Sequence, residues 1–283
     1  MGEVTDMQVA IVGAAGKMGS WFAAYFVRKG LAVCAFDVRP FAVTGVTSAL
    51  SVRDCVHDAD LVLVCVPVQK TAGLIKKCEK EMKKGSRLAE ISSVKSKTFP
   101  ALKGARKDLS VLCLHPMFGP GADSAKNLKM LLIPVRDRAG EQAAAEQAFS
   151  GMSISVISDA KTHDKSIAAV LGLTYFVNIA FAGVIAKEDL KALKKVGGTT
   201  FGVQSMLAES IMTDEPELAA ALLRDNPYVR AYMARYLKGA QEIARTGKLE
   251  PLFRKVKQGM QKQQDLQESY RRLYDTLRDG NIT

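Results

Sequence analysis

The sequence predicts an α/β fold, a doubly wound parallel sheet followed by a helical second half. Three observations predict it. Short apolar runs alternate with helical stretches from Met7 to Ile157. A glycine-rich turn joins the first run to the first helical stretch. After Ile157 the alternation stops, and apolar residues recur at helical spacing as far as Leu277.

Met7–Val12 reads as a buried strand and leads into Gly13-Ala14-Ala15-Gly16-Lys17-Met18-Gly19. A helix then carries Trp21, Phe22, Tyr25 and Phe26. The fingerprint G-x-G-x-x-G has become G-x-x-G-x-x-G, and its physics survives. Gly16 lets backbone approach a pyrophosphate, Gly19 lets the helix pack close on the sheet, and the helix N-terminus offers N–H groups to an anion. With a strand before it and a helix after it, this is a Rossmann-type dinucleotide-binding turn. Gly13, Ala15, Gly16, Lys17, Met18 and Gly19 are expected to line the dinucleotide, with Val66 and Pro67 at the end of a later strand.

Ala32–Phe36 is the second strand and ends at Asp37. An acidic residue there is placed to accept hydrogen bonds from a ribose 2′-OH and would repel a 2′-phosphate. NAD is expected over NADP. Arg39, two residues on, could pair with a phosphate and keeps NADP open. Asp60–Pro67 is the third apolar run, followed by a helical stretch from Thr71 to Met82. Leu88–Ile91 comes next, then Ser92-Ser93-Val94-Lys95.

Val111–Leu114 reads as a buried strand that stops at His115-Pro116, where proline should force a turn. His115 and Ser93 both fall past the carboxyl ends of strands, where open α/β sheets keep their ligands. They should share one crevice. The plainer alternatives are a strand-end histidine bonded to backbone, and serines that cap the next helix. Leu128–Val135, Ala139–Phe149 and Ile154–Ile157 complete the pattern as strand, helix and strand.

Length and composition fit two modest domains. The chain has 283 residues, 48% hydrophobic and 24% charged, which excludes a disordered protein. The expected boundary lies near 160, giving residues 1–160 and 161–283. No apolar run is read as approaching the roughly 20 residues of a membrane span. Residues 1–8 read as neither a signal peptide nor a complete myristoylation pattern. The five cysteines form no C-x-x-C pair, so a reducing, cytoplasmic setting is expected. The net charge of +11 is spread over helix-like segments without a basic-aromatic stripe. That favours solvated helix faces over nucleic-acid binding, and a positive field would draw in an anionic substrate. No metal-ligand cluster is read.

G-x-x-G-x-M-G after the first strand, E-I-S-S-V-K-S at 90–96 and L-H-P-M-F-G-P at 114–120 together resemble the prephenate/arogenate dehydrogenases of tyrosine biosynthesis. The likeness covers residues 7 to about 180 well and the rest loosely. It implies an all-helical dimerisation and substrate domain after the nucleotide-binding half, and therefore a homodimer. It implies NAD(P)-dependent oxidative decarboxylation of prephenate to 4-hydroxyphenylpyruvate. His115 would then be the base for the substrate hydroxyl and Ser93 its positioning partner. An imidazole titrates ordinarily near about 6.5, and the acid limb of the rate would sit there. Lys95, His163 and Tyr175 are candidate substrate contacts.

Thr162-His163-Asp164 matches a family helix start, with Thr162 read as its N-cap and Asp164 as a first-turn complement to the dipole. Further helical segments are read at 198–212, 217–223, 228–244 and 252–277. Two departures stand out. Tyr175 occupies a place where relatives often carry histidine, and Ser210 aligns loosely with their substrate-binding arginine. No Lys or Arg occurs from Phe201 to Leu223. The alternatives are arogenate, another hydroxy acid with Lys165 as the catalytic lysine, and a non-catalytic dinucleotide-sensing dimer.

Overall fold

The computed structural model describes residues 7–123, 127–247 and 249–279, and these divide into two compact units. The first runs to Gly172 and takes in Pro216–Tyr228; the second comprises Leu173–Glu215 and the chain from Val229. The readings about a leader or lipid anchor rest mainly on residues 1–6, outside the described residues.

The first unit is built on an eight-stranded sheet. In chain order its strands are β1 (Gln8–Val12), β2 (Ala32–Phe36), β3 (Val46–Ser48), β4 (Leu61–Val64), β5 (Arg87–Glu90), β6 (Ser110–Pro116), β7 (Lys129–Leu132) and β8 (Ser153–Val156). Their spatial order is β3-β2-β1-β4-β5-β6-β7-β8. The first six are mutually parallel, β7 runs antiparallel to β6, and β8 is parallel to β7. The strand order reverses between β1 and β4, which makes their carboxyl ends the switch point of the sheet. The short edge strand β3 is absent from the sequence reading, because Val46-Thr47-Ser48 is too brief to register as an apolar run.

Period-two alternation feeds both faces. Val9, Ile11, Leu61, Leu63, Leu112 and Leu114 meet the aromatic face of α1 (Lys17–Arg28) and α5 (Arg138–Ala148). Ala10, Val12, Val62, Val64, Val111 and Cys113 meet α2 (Val52–Val56), α3 (Val68–Glu81) and α4 (Phe99–Lys103). Covered on both faces, the central strands read as continuous apolar runs.

The ladder does not stop at Pro116, contrary to the turn expected there. Pro116 pairs with Met130, and the Met117 N–H donates to Lys129 O at 2.8 Å. The carbonyl of Cys113 and the N–H of Met117 face β7, so the nitrogen of Pro116 faces the other way. β5 has already ended on that side, so the missing N–H costs no ladder bond.

Beyond β8, α6 (Ala160–Ile167) is capped by Asp159, whose carboxylate accepts from the Thr162 N–H at 2.8 Å. Thr162 is therefore inside the first turn and is not the cap. The helix continues through a π segment, Ala168–Leu173, into α7 (Thr174–Ile185). No charged residue occurs from Ile167 to Ala186. By length and composition Ala160–Ile185 could cross a membrane, with a mean hydropathy of 2.0 in its most apolar window. This corrects the reading that no run approaches that length. Only 28% of the window is buried within the chain.

The second unit adds α8 (Leu190–Val196), α9 (Thr199–Ile211), α11 (Val229–Arg245), α12 (Leu249–Gln261) and α13 (Leu266–Asp279), while the short α10 (Pro216–Ala220) belongs to the first. The segment read as one helix over 252–277 is two. Asp265 breaks it, because its carboxylate accepts from the N–H groups of Gln267 and Glu268 and caps α13.

Phe22 is fully buried, with its ring 5.1 Å from Trp21 and 5.9 Å from Phe149. Phe22→Ala should cost about 3–5 kcal/mol in denaturant unfolding. A cost below about 1 kcal/mol would contradict a close-packed face there.

Candidate active site

The carboxyl ends of the parallel strands assemble the site within the first unit. Gly13 follows β1 with φ at +104°, and any side chain on it would overlap the Cys65 carbonyl at the end of β4. A Cβ on Gly19 would overlap the Gly13 carbonyl. Both glycines are thus set by close approach, one bringing the turn against Val66, the other seating α1 on the sheet. Gly16 is the N-cap of α1, which has no side-chain cap and no acidic residue in its first turn. That end suits a pyrophosphate.

Asp37 follows β2. Its Oδ2 accepts from the Ala15 N–H at 3.0 Å and its Oδ1 from the Arg39 N–H at 2.9 Å. The carboxylate therefore fixes the glycine turn as well as standing where a ribose would lie. Arg39 reaches its Oδ1 at only 3.9 Å and is largely exposed.

Ser93 follows β5, whereas His115 lies within the adjacent strand β6, one residue before its end and not past it as expected; the register of the two strands aligns Glu90 with Cys113. Ser93 is half-buried, and its hydroxyl has no partner among the described residues. Ser92 does not cap a helix: its hydroxyl donates to Thr71 Oγ1 at 3.1 Å and its N–H to Glu90 Oε2 at 2.7 Å.

His115 is buried, and its Nδ1 lies 2.9 Å from His163 Nε2. The Nδ1 of His163 lies 2.8 Å from Asp164 Oδ1. Asp164 also accepts from the N–H groups of Lys95 and Ser96, both at 2.8 Å. Burial first, then His163 and Lys95, hold the His115 imidazole well below its ordinary range. Burial also lowers His163, against the pull of the Asp164 carboxylate. Burial works to raise Asp164, but the hydrogen bonds from His163, Lys95 and Ser96 outweigh it and keep the carboxyl low. At neutral pH the group is two neutral imidazoles on one carboxylate.

Lys95 and His163 were expected to touch substrate, and the structure uses both internally. The Lys95 side chain is fully buried, 2.7 Å from Glu90 Oε1, and also donates to the Leu114 carbonyl. Glu90 accepts further from the Cys113 thiol at 3.2 Å. Burial first, with the Glu90 carboxylate adding to it, pushes that thiol well above its ordinary value, so it stays a neutral donor. Tyr175 lies in the second unit and donates its hydroxyl to Asp214. Ser210 is exposed and bonds back to the Leu207 carbonyl at 2.8 Å. The Lys165 ammonium sits 5.7 Å over the Tyr228 ring.

Sequence reasoning missed the roles of Glu90 and Asn226 and gave Asp164 only that of a helix-dipole complement. Asn226 donates to the Asp164 carbonyl at 2.9 Å. Glu90 and Lys95 stand inside one quoted motif, and that adjacency was the available signal for their pairing. Asn226 offered none.

Two family models match the chain: prephenate dehydrogenase, nucleotide-binding domain, over residues 43–135, and prephenate dehydrogenase, dimerization domain, over 159–258. The chain belongs to the prephenate dehydrogenase family. The first match holds Val66, Pro67, Ser93, Lys95 and His115; the second holds His163, Asp164 and Tyr175. A probable arogenate/prephenate dehydrogenase of Methanocaldococcus jannaschii is 26% identical over 85% of this chain. The chain spans 56% of that relative's length. Among solved structures, the prephenate dehydrogenase of Aquifex aeolicus with hydroxyphenyl propionate and NAD+ superposes with a TM-score of 0.64 at 18% identity, covering 92% of this chain and 98% of that one. The arogenate dehydrogenase of Synechocystis gives 0.60 at 17% identity, covering 93% and 100%. At such identities the superpositions establish the fold.

Lys95→Met would leave the Glu90 carboxylate unpaired in the interior, a loss of about 3–5 kcal/mol. Adding Glu90→Gln should recover a large part of it. Denaturant unfolding of single and double variants checks this, and simple additivity would contradict the coupling.

Proposed function

We propose that the protein is an NAD-dependent dehydrogenase that oxidatively decarboxylates prephenate and works as a homodimer. One observation carries the reading: a buried, neutral His115 stands on the same sheet edge as the glycine turn. Family membership supplies the substrate class.

Gly13, Ala15, Gly16, Lys17, Met18 and Gly19 would hold the pyrophosphate, Asp37 the adenosine ribose, and Val66 and Pro67 the wall at the switch point. When bound, NAD supplies a hydride acceptor for the ring carbon that carries the hydroxyl. As hydride leaves that carbon, its hydroxyl becomes strongly acidic. His115 takes the hydroxyl proton, with Ser93 orienting the group. Carbon dioxide departs from the opposite ring carbon and leaves its bonding electrons to the ring. The proton returns to the oxygen as the ring becomes aromatic, so the imidazole ends as it began.

Arogenate is the second reading, and one observation favours it. It carries an ammonium where prephenate has a ketone, and residues 201–223 hold four carboxylates and no Lys or Arg, of which Glu209 is paired with Lys194 at 2.8 Å and Asp214 accepts from Tyr175. Assays at 340 nm with both substrates decide between them.

The dimerization-domain match and the apolar surface that the chain leaves open support the dimer. Val184 is 67% exposed on the apolar run and Phe253 66% exposed on α12. Sedimentation at micromolar concentration should give a dimer, and a monomer would sink this part. Such a dimer would be a soluble, cytoplasmic enzyme.

His115→Asn should lower turnover by about 10²–10⁴-fold. NAD binding, which rests on β1 and β2, should hardly change. The proton acceptor is lost as pH falls through the imidazole's pKa, and that value is depressed in the fold. The wild-type rate should therefore stay flat through the ordinary imidazole range and drop only well below it. That revises the limb near 6.5 expected from sequence. Full turnover in well-folded His115→Asn would end the base assignment. Asp37→Ser should shift preference toward NADP and also loosen the turn at Ala15. A wild type already faster with NADP in kcat/KM would overturn the NAD reading.

A further inference from the structure

We infer that Asp164 and His163 act as positioning residues that fix the tautomer of His115 and take up the charge it acquires. The inference rests on His115 being the base in the proposed reaction.

The hydrogens along this line are fixed one after another, starting from the carboxylate. Asp164 is ionised, because three donors converge on it: the N–H groups of Lys95 and Ser96 and the ring of His163. An ionised carboxylate only accepts. The nitrogen of His163 that faces it, Nδ1 at 2.8 Å, must carry a hydrogen. A neutral imidazole has one N–H, so the Nε2 of His163 is bare and can only accept. His115 presents Nδ1 to that bare nitrogen at 2.9 Å and must be the donor. Its single hydrogen is then on Nδ1, and its Nε2 carries the free lone pair. A tautomer set by the bond the other ring nitrogen makes is a general property of histidine. Here the setting passes through two rings.

The same line disposes of charge. When His115 Nε2 takes the hydroxyl proton, the hydrogen on its Nδ1 can move to His163 Nε2. His115 is then neutral with hydrogen on Nε2, and His163 is an imidazolium against the Asp164 carboxylate. No atom is gained or lost beyond the one proton. The charged groups around the pair are few. Lys95 faces it from the segment after β5 and is neutralised by Glu90. The Cys113 thiol on β6 is neutral. Asp164 is the one anion among these groups without a lysine partner. Asn226 holds its residue from the far side through the main-chain carbonyl.

Histidine-labelled protein, studied by nitrogen-15 NMR at neutral pH without cofactor, tests the tautomer directly. His115 should show a protonated Nδ1 and a bare Nε2; a protonated Nε2 overturns the inference. Kinetics test the role. Asp164→Asn should cut turnover about 10²-fold and move the acid limb to still lower pH, because the carboxylate that favours the protonated pair is gone. KM and NAD affinity should stay put. A merely structural role would reduce the folded fraction and leave the limb in place. His163→Leu keeps every backbone bond to Asp164 and should lose about as much. His163→Gln, whose amide can accept from His115 and donate to Asp164, should recover part of the loss. Suppose His115→Asn is dead while the His163 and Asp164 variants keep wild-type turnover and pH profile. The relay is then refuted and the base assignment stands. Full turnover in His115→Asn removes the base assignment and the relay's role together.

Discussion

The Asp164 carboxylate is the constraint on which the site depends. One oxygen accepts from Lys95 and faces the ring of His163, and the other accepts from Ser96. Those bonds join α6 to the segment after β5, and through His163 to the end of β6. Asn226 adds the stretch after α10 by bonding the carbonyl of the same residue. Four pieces of chain distant in sequence are thus held by one residue. Burying a lone carboxylate is costly unless donors surround it. Here the donors are mostly backbone, so the same bonds that satisfy the charge fix the loop carrying Ser93.

Much of this was legible in the sequence, and what was not has a physical cause. The glycine turn could be read because its requirements are local: close approach at Gly13 and Gly19, and an uncapped helix end at Gly16. The strands could be read because burial on both faces makes them apolar throughout. His115 could be placed because a strand ends near it, although Pro116 proved compatible with one more step of ladder. That compatibility depends on which side of β6 still has a neighbour, which is a fact of topology. The line of bonds from His115 to Asp164 is long-range in sequence. His163 meets His115 from 48 residues away, and Asp164 meets Lys95 from 69. A histidine beside an aspartate at a helix start reads as a dipole complement until the fold shows what the ring faces. The same applies to Lys95. A lysine past a strand end reads as a ligand for an anion, and here Glu90, five residues earlier, has claimed it.

The helical half poses the opposite problem: too much apolar surface for the partners present. Ala160–Ile185 is apolar enough for a lipid bilayer, yet its first turns carry Lys161, His163, Asp164 and Lys165. Two of these are buried in the polar network just described. A helix whose amino end is tied by side-chain bonds to a sheet domain is anchored in protein. Apolar side chains stay open on its later turns and on α12 and α13, among them Val184, Phe253 and Tyr270, and exposed apolar surface can mark a protein interface. That fits a region matched to a dimerization domain.

The electrostatics of the site also settle an apparent conflict. A base held far below its ordinary pKa is always in its accepting form at neutral pH, but it binds a proton weakly. For many reactions that trade would be poor, since proton transfer is best driven when the pKa lies near the working pH. In the proposed reaction the hydroxyl would lose its proton only as hydride leaves the same carbon, and an oxygen on an electron-poor carbon is a strong acid. The base need not be strong; it must be unprotonated and aimed. Burial ensures the first. In the inferred relay the line of bonds from Asp164 through His163 would ensure the second. Because the Lys95 charge is cancelled by Glu90, the carboxylate would offset the transient cation of the proposed reaction without reorganisation. Depressed basicity at His115 is therefore consistent with a base that works on a substrate acidified by its own oxidation.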